Sequence, residues 1–191
     1  MSLFLDIGTG TGLASATGVR PYLPPLLAGG LARGDIGIDF DGTDFSYLES
    51  PAFLGGVLAV AVIAFFVERS ATNRTPQVLA GVVGLAFGAL LFAGAMADGG
   101  HATWVGFVAG PLCAALGWVA VGGLVERVRA RLEADQAALL TAYADTAALL
   151  LAGIAIFVPP LAFLAIPGFV VLLLGGRRRE GEKYAGLRIL R

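Results

Sequence analysis

The sequence predicts an all-α membrane protein: a single polytopic integral membrane domain over residues 1–191, built as a bundle of about six transmembrane helices. Composition is the first observation that predicts this class. Hydrophobic residues make up 57% of the chain, charged residues make up only 14%, and mean hydropathy is +0.82. Soluble domains average about 45–50% apolar and about 25% charged residues. A water-soluble fold of this size would need more polar surface than these side chains provide.

Apolar runs of bilayer length are the second observation, since a spanning helix needs about 20 residues. Five runs, bounded by charged residues, glycine or proline, cover residues 51–67, 76–97, 104–125, 137–158 and 160–176. A sixth apolar region, residues 3–32, is interrupted at Arg20-Pro21 and again at Pro24-Pro25. Because proline removes a backbone donor and clashes with the preceding turn, we predict one broken first span over this region. A re-entrant hairpin with Arg20 at its tip is the alternative interpretation.

The distribution of basic residues is the third observation, and it predicts orientation. With six alternating spans, one side of the membrane receives eleven of the 13 basic residues: Arg69, Arg74, Arg127, Arg129, Arg131, Arg177, Arg178, Arg179, Lys183, Arg188 and Arg191. The other side receives Arg33 and an acidic loop over residues 34–50. The positive-inside rule then places both termini in the cytoplasm. The basic tail over residues 177–191 is expected to contact anionic lipid headgroups, and we expect no nucleic-acid partner.

The first span is rich in glycine. Its letters LDIGTGTG resemble the glycine-rich first motif of S-adenosylmethionine-dependent methyltransferases. That motif needs a preceding strand and a following helix inside an α/β domain, whereas only five residues precede Asp6 and helix-length apolar runs follow. We therefore assign the glycines to helix packing, because small residues four apart let helix backbones approach closely. The two rows are Gly8, Gly12 and Ala16, and Gly10, Ala14 and Gly18.

Two charged residues inside the predicted spans are the candidates for a substrate or ion path. A charge in hydrocarbon costs about 2.5–3.5 kcal/mol on insertion scales, so each needs a partner or water. Arg20, beside Pro21 at the helix break, either binds an anionic group or reaches the outer interface. Asp145, with Tyr143 and Thr146 beside it, is either a proton or cation site paired with Arg20 or part of a structural interhelical contact. The six-span order places Arg20 in the outer half of the membrane and Asp145 in the inner half.

Charged residues at the cytoplasmic helix ends form a second set of candidates. Glu68 and Arg69 end the second span, and Glu126 and Arg127 end the fourth. Because a negative charge there opposes the helix dipole, we predict that these glutamates pair with nearby arginines. A paired carboxylate site for a metal or a proton is the alternative interpretation.

The remaining polar residues are interpreted as surface features. Asp6 is expected near the cytoplasmic interface, where it would cap its helix or pair with the basic tail, and His101 is expected in a solvated outer loop. The acidic loop matches no calcium-loop spacing fully, and we interpret it as a solvated turn. Its aspartates are Asp35, Asp39, Asp41 and Asp44. We expect no bound metal and no cofactor.

Three short pieces resemble a known family. They read GLASATGVRPYLPPLLAGGLARGD near the N-terminus, FFVERSATN at the end of the second span, and RRREGEKYAGLRILR at the C-terminus. These pieces are similar to those of the bacterial membrane proteins grouped as domain-of-unknown-function family 4126. The resemblance implies a multi-pass protein of the bacterial inner membrane, and it implies no particular activity.

Two interpretations of the function remain open. The first is a transporter or channel for a small solute or ion, with a polar site at the broken first helix around Arg20. The second is a non-transporting membrane scaffold or accessory subunit, assembled with further copies of itself or with a partner membrane protein. An enzyme is not expected. With one loop histidine, one cysteine and no paired carboxylates inside the spans, the usual catalytic constellations are missing.

Overall fold

Helices joined by short connections make up the part of the chain that the structure describes. The computed structural model describes residues 2–70, 75–129 and 134–185, without the side chains of residues 68–70, 126, 129, 134–138 and 176–185. In chain order the helices are α1 (Leu3–Val19), α2 (Leu23–Ala32), α3 (Pro51–Ser70), α4 (Thr75–Asp98), α5 (Trp104–Arg129), α6 (Ala134–Phe157), α7 (Pro159–Ala162) and α8 (Ala165–Ala185), with a 3-10 turn over Ser46–Glu49. The predicted all-α class is confirmed over these residues.

Within the described residues, three helices are long and apolar enough to cross a membrane, which indicates a membrane protein. They are Thr75–Asp98, Trp104–Val125 and Leu139–Phe157. Three further apolar helical stretches, Leu23–Ala32, Pro51–Val67 and Pro159–Gly175, are shorter. Length and composition therefore support three of the six predicted spans, and the other apolar segments fall at or below the length that a perpendicular spanning helix needs.

The direction of α1 differs from the prediction. Asp6, near the start of α1, lies against Gly99 just after the end of α4. Thr17, near the end of α1, lies against Gly84 in the first half of α4, where an added Cβ would be 2.7 Å from the Thr17 carbonyl oxygen. The two helices are therefore antiparallel, with the start of α1 beside the end of α4.

Helix α2 runs back along the bundle beside α1. It begins next to Pro21, which also lies near Gly84, and Gly29 near its end packs on Leu48. Leu48 in turn lies against Gly94, close to the end of α4. Helix α2 is thus parallel to α4 and antiparallel to α1, so residues 3–32 form a helical hairpin, the alternative to one broken span.

The hairpin turn follows from its prolines. Arg20 has extended backbone angles (φ −144°, ψ 112°), and its successor Pro21 disfavours helical angles at that position. Pro24 and Pro25 then begin α2, where their missing N–H groups are tolerated. At about 1.5 Å per residue, the 17-residue α1 is roughly 26 Å long and the 10-residue α2 roughly 15 Å. The second arm is too short to cross a bilayer.

The bundle has two ends of opposite charge character. We call the end that holds residues 33–50 and 98–103 the acidic end, after Asp35, Asp39, Asp41, Asp44, Glu49 and Asp98. The opposite end, where α3, α5 and α8 finish and the arginine-rich segments of the sequence follow, is the basic end. Ser2 lies at the acidic end together with the loop over residues 34–50, whereas the predicted order of six spans placed these two segments at opposite ends of the bundle.

Helix α1 is the buried centre of the bundle, and every residue from Gly8 to Gly18 is buried. It packs against α4, α5, α6 and α7. Of the two predicted rows of small residues, Gly8 and Gly12 face Pro159 and Ala155, whereas Gly10 and Gly18 face Phe92 and Ala114. Any Cβ at Gly18 would overlap the Ala114 backbone, so larger side chains at that position are incompatible with this spacing of α1 and α5.

Helix α3 lies at the periphery. It packs against α2, the 3-10 turn and α4, and Val57 is its most buried large side chain. The exposed large apolar side chains of α3 are Leu58, Val60, Val62, Ile63, Phe65, Phe66 and Val67. Such a surface is compatible with lipid and incompatible with water as its main contact.

Candidate functional site

The structure brings together the two charged residues that were singled out inside the spans. The Nε atom of Arg20 lies 2.6 Å from Oδ1 of Asp145. Arg20 occupies the hairpin turn and Asp145 lies in α6, eight residues after Ala137, where the apolar run of the sequence begins. That places Asp145 about 12 Å into this run from the basic end.

The hairpin explains why Arg20 and Asp145 lie at the same depth along the bundle. The predicted single span placed Arg20 in the opposite half of the membrane from Asp145. Because α1 runs from the acidic end toward the basic end, its C-terminal turn carries Arg20 into the half that holds Asp145. The 2.6 Å separation is that of a close ion pair, in which the opposite charges of the two side chains offset each other.

A cavity of about 140 Å³ adjoins this ion pair. Three elements line it: the hairpin turn with Arg20, Pro21, Tyr22 and Leu23, helix α3 with Ala61, Ala64 and Phe65, and helix α6 with Thr141 and Asp145. The Arg20 side chain is 20% exposed and the Asp145 side chain 40% exposed. The ion pair is therefore reachable from the cavity and is not sealed by packing.

Only some of the predicted site residues lie at this cavity. Arg20, Pro21 and Asp145 line it, whereas Tyr143 and Thr146 do not. The Tyr143 side chain is 73% exposed, and the Thr146 hydroxyl donates to the Ala142 carbonyl oxygen at 2.8 Å along its own helix. These two residues are one and two positions from Asp145, so they point away from the face that Asp145 presents.

Sequence reasoning missed Tyr22, Thr141 and the α3 side chains of the cavity. A signal existed for Thr141 alone, because it lies four residues before Asp145 and so shares its helix face. The α3 residues are an alanine pair and a phenylalanine within a uniformly apolar run. Nothing in such a run distinguishes a cavity wall from a lipid-facing surface.

The start of α2 adds little positive potential to the site. A helix N-terminus attracts anions through its unpaired N–H groups. Two of the first residues of α2, Pro24 and Pro25, have no N–H group, and the Leu26 N–H donates to the Tyr22 carbonyl oxygen. Of the first four positions of this helix, only Leu23 therefore has an N–H group to offer to an anion, and Arg20 is paired with a carboxylate.

A second polar pair lies at the other end of α1, where none was expected. Asp6 is 2% exposed, and its Oδ2 atom lies 3.0 Å from Nδ1 of His101. Gly99 is packed on this carboxylate, and an added Cβ there would be 2.8 Å from His101 Nδ1. Gly100, with φ +71°, turns the chain so that His101 reaches Asp6. The expected positions of Asp6 near the basic tail and of His101 in a solvated loop are both corrected.

The acidic loop contains the described carboxylates that come closest to a cation-binding arrangement. Carboxylate oxygens of Asp35, Asp39 and Asp41 all lie within 4.8 Å of one another, on exposed side chains. The neighbouring Glu49 is 9% exposed. Its burial, and then its hydrogen bond and repulsion with Asp41 and the charges of the other two aspartates, raise the pKa of Glu49 to about 7.

The predicted charge pairs at the basic end fall largely outside the described residues. The side chains of Glu68, Arg69 and Glu126 are among those that the structure does not describe. Arg127 is described, and its guanidinium lies over Gly123, 3.6 Å from the position of an added Cβ. The pairing of these residues stays a prediction.

A family model described as "Domain of unknown function (DUF4126)" matches residues 7–179. The match takes in the hairpin, the cavity residues and Asp145, and it ends within α8. No curated protein and no solved structure matches the chain.

Proposed function

We propose that the chain, which belongs to the DUF4126 family, is a bacterial inner-membrane transporter or channel for a small solute or ion. Its site is the Arg20–Asp145 pair at the hairpin turn. One observation carries the proposal: the ion pair lies at a helix break and lines a cavity, with 40% of the Asp145 side chain exposed. A purely structural ion pair has no need of such access.

Membrane energetics support a functional role for this pair. Ionisable residues within apolar helices are expensive and usually face a bundle interior or a water-filled cavity. Non-helical backbone at membrane depth is tolerated where it is buried in protein or lines such a cavity. Residues 20–22 combine both features, because the turn between α1 and α2 presents Arg20 and the adjoining backbone to the cavity.

The orientation that we propose follows from the basic residues and the hairpin. Eleven of the 13 basic residues belong to segments at the basic end or beyond it, so the positive-inside rule assigns this end to the cytoplasm. The N-terminus then lies outside with the acidic loop, and the C-terminus lies inside. The ion pair sits in the cytoplasmic half of the membrane, about 12 Å from the start of the apolar run of α6 at Ala137.

A non-transporting scaffold is the second candidate, favoured by the close packing of α1. Added Cβ atoms at Gly18 and Gly110 would overlap backbone atoms of α5 and α4, respectively. This central packing is that of a rigid helical unit. Under this alternative the Arg20–Asp145 pair would stabilise the hairpin and carry no flux.

Flux measurements on reconstituted protein distinguish the two candidates. Proteoliposomes with an entrapped pH-sensitive dye report proton flux under an imposed potassium diffusion potential, and light scattering reports the permeation of small solutes. We expect at least one flux above that of protein-free vesicles, reduced at least tenfold by Arg20→Ala and by Asp145→Asn. Arg33→Ala and Asp44→Asn remove the same charges at exposed positions of the acidic end and should leave it unchanged. Equal fluxes in folded wild type and both cavity variants would favour the scaffold.

A further inference from the structure

The cavity lies in a slot between two helices that do not pack closely on each other. Helix α3 packs on α2, the 3-10 turn and α4, whereas α6 packs mainly on α1, α2 and α7. Helix α2 separates α3 from α6. The cavity lies on the basic-end side of the first turn of α2. The slot is thus closed toward the acidic end by α2 and has α3 and α6 as its side walls.

Apolar side chains surround this slot. Phe65 lines the cavity itself and is 51% exposed, and its neighbour Phe66 is 62% exposed. In a membrane, surfaces of this kind contact acyl chains, so a molecule that reaches the ion pair between α3 and α6 arrives from the bilayer.

The polar part of the cavity has two opposite charges side by side. A ligand that carries only an anion would gain from Arg20 but be repelled by Asp145, and a simple cation would meet the reverse. A group with an anion and an ammonium a few ångströms apart can satisfy both, because the guanidinium donates to phosphate oxygens while the carboxylate accepts from ammonium N–H groups. Charge complementarity therefore selects a zwitterion.

Cavity volume limits what can enter. Pockets for drug-sized ligands are about 300–1,000 Å³, whereas a single bound water needs roughly 10–15 Å³ of comparable volume. At about 140 Å³, the cavity has room for a compact headgroup and its water, and none for the rest of a lipid. The acyl chains of such a ligand would lie outside it, along Phe65 and Phe66.

We infer that the cavity binds the headgroup of a zwitterionic phospholipid with a primary ammonium, of the phosphatidylethanolamine type. Arg20 holds the phosphate and Asp145 the ammonium. The inference rests on the proposed function, since it names the ligand of the same site. It makes that ligand a membrane component, and a soluble zwitterion such as free phosphoethanolamine is the competing source of the same chemistry.

Lipid binding to purified protein tests this without any flux. Native mass spectrometry in a neutral detergent gives apparent Kd values for short-chain phosphatidylethanolamine, phosphatidylglycerol and phosphatidylcholine. We expect the wild type to bind the ethanolamine lipid at least tenfold more tightly than the glycerol lipid, which has no ammonium. We expect the same margin over the choline lipid, whose quaternary nitrogen has no N–H and is bulkier.

The variants make the assignment specific to the ion pair. Asp145→Asn leaves Arg20 without its carboxylate partner, and this should reverse the preference toward the anionic glycerol lipid. The exchanged pair Arg20→Asp with Asp145→Arg keeps both charges and should retain the preference for the ethanolamine lipid. This double variant provides the test if a single variant does not fold. Arg33→Ala and Asp44→Asn should bind as the wild type does.

Three results would overturn the inference: equal Kd values for the three lipids in the wild type, an unchanged preference in folded Asp145→Asn, or equally tight binding of free phosphoethanolamine. The last result would assign the site to a soluble zwitterion. Because binding is read without transport, selective binding by a protein with no flux would contradict the proposed function alone. A flux with no lipid selectivity would contradict the inference alone.

Discussion

A carboxylate is paired with a base at each end of α1, yet the two pairs are built differently. At the acidic end, Asp6 is 2% exposed and a glycine turn is folded over its contact with His101. At the other end, Asp145 is 40% exposed and its contact with Arg20 borders a cavity. Burial makes the first pair an anchor for the fold, because a charge without a partner is costly there. Access makes the second pair available to a ligand.

Loss of the buried base should have the largest effect on stability. His101→Ala leaves the Asp6 carboxylate buried without the imidazole beside it, and an unsatisfied buried polar group costs about 1–3 kcal/mol, more when charged. We expect the melting temperature in detergent, followed by tryptophan fluorescence, to fall by several degrees. Arg33→Ala, at an exposed position of the same end of the bundle, is the control and should melt as the wild type does. An unchanged melting temperature in His101→Ala would mean that this pair is no anchor.

The buried acid Glu49 should make stability depend on pH. Its pKa of about 7 in the folded protein lies above the ordinary value of 4.5, so between these pH values the folded chain holds a proton that the unfolded chain has lost. The contribution of this group to the free energy of unfolding is therefore full below about pH 4.5 and falls, by an amount of order 1 kcal/mol, as pH rises to about 7.

Glu49→Gln isolates this contribution, because the amide keeps a donor toward Asp41 and cannot ionise. The stability difference between wild type and Glu49→Gln should move in favour of the variant between pH 4.5 and 7 and stay constant above pH 8. Asp44→Asn, an exposed acid in the same loop, should show no comparable trend. A difference that is independent of pH across this range would contradict the raised pKa.

The smallest stability effect is expected at the accessible pair. Because partly exposed ion pairs contribute about 0–1 kcal/mol, Asp145→Asn should lower the melting temperature less than His101→Ala does. The same variant should reverse the lipid preference and reduce the flux at least tenfold, whereas His101→Ala should leave both intact in the protein that remains folded. If Asp145→Asn were the more destabilising of the two, the contrast between anchor and accessible site would be wrong.

Much of the fold could be predicted because it depends on local sequence. Apolar runs between charged residues and prolines predicted the helices, and Pro21 predicted the break after Arg20 through the angles it imposes on its neighbours. The reversal of the chain at that break could not be predicted in the same way. Between residues 1 and 50 the only basic residues are Arg20 and Arg33. The positive-inside rule therefore gave little information about the direction of α1.

The candidate site also has a part that local sequence predicts and a part that depends on the fold. Arg20 and Asp145 could be found because a charge in an apolar run is conspicuous, but their common depth depends on the hairpin. The contact between Asp6 and His101 joins residues 95 positions apart in sequence, through a turn at Gly99-Gly100 whose letters are those of an ordinary loop. Only the packing of α1 against α4 brings them together.

The hairpin is the central claim, and thiol labelling of intact cells tests it most directly. Single cysteines replace Ser2, Asp44 or Glu182 in a Cys113→Ala background and are exposed to a membrane-impermeant maleimide. The hairpin predicts that Ser2→Cys and Asp44→Cys both label from outside, whereas Glu182→Cys labels only after the membrane is opened. One broken span over residues 3–32 would instead protect Ser2→Cys together with Glu182→Cys. That result would return Arg20 to the outer half of the membrane, away from Asp145.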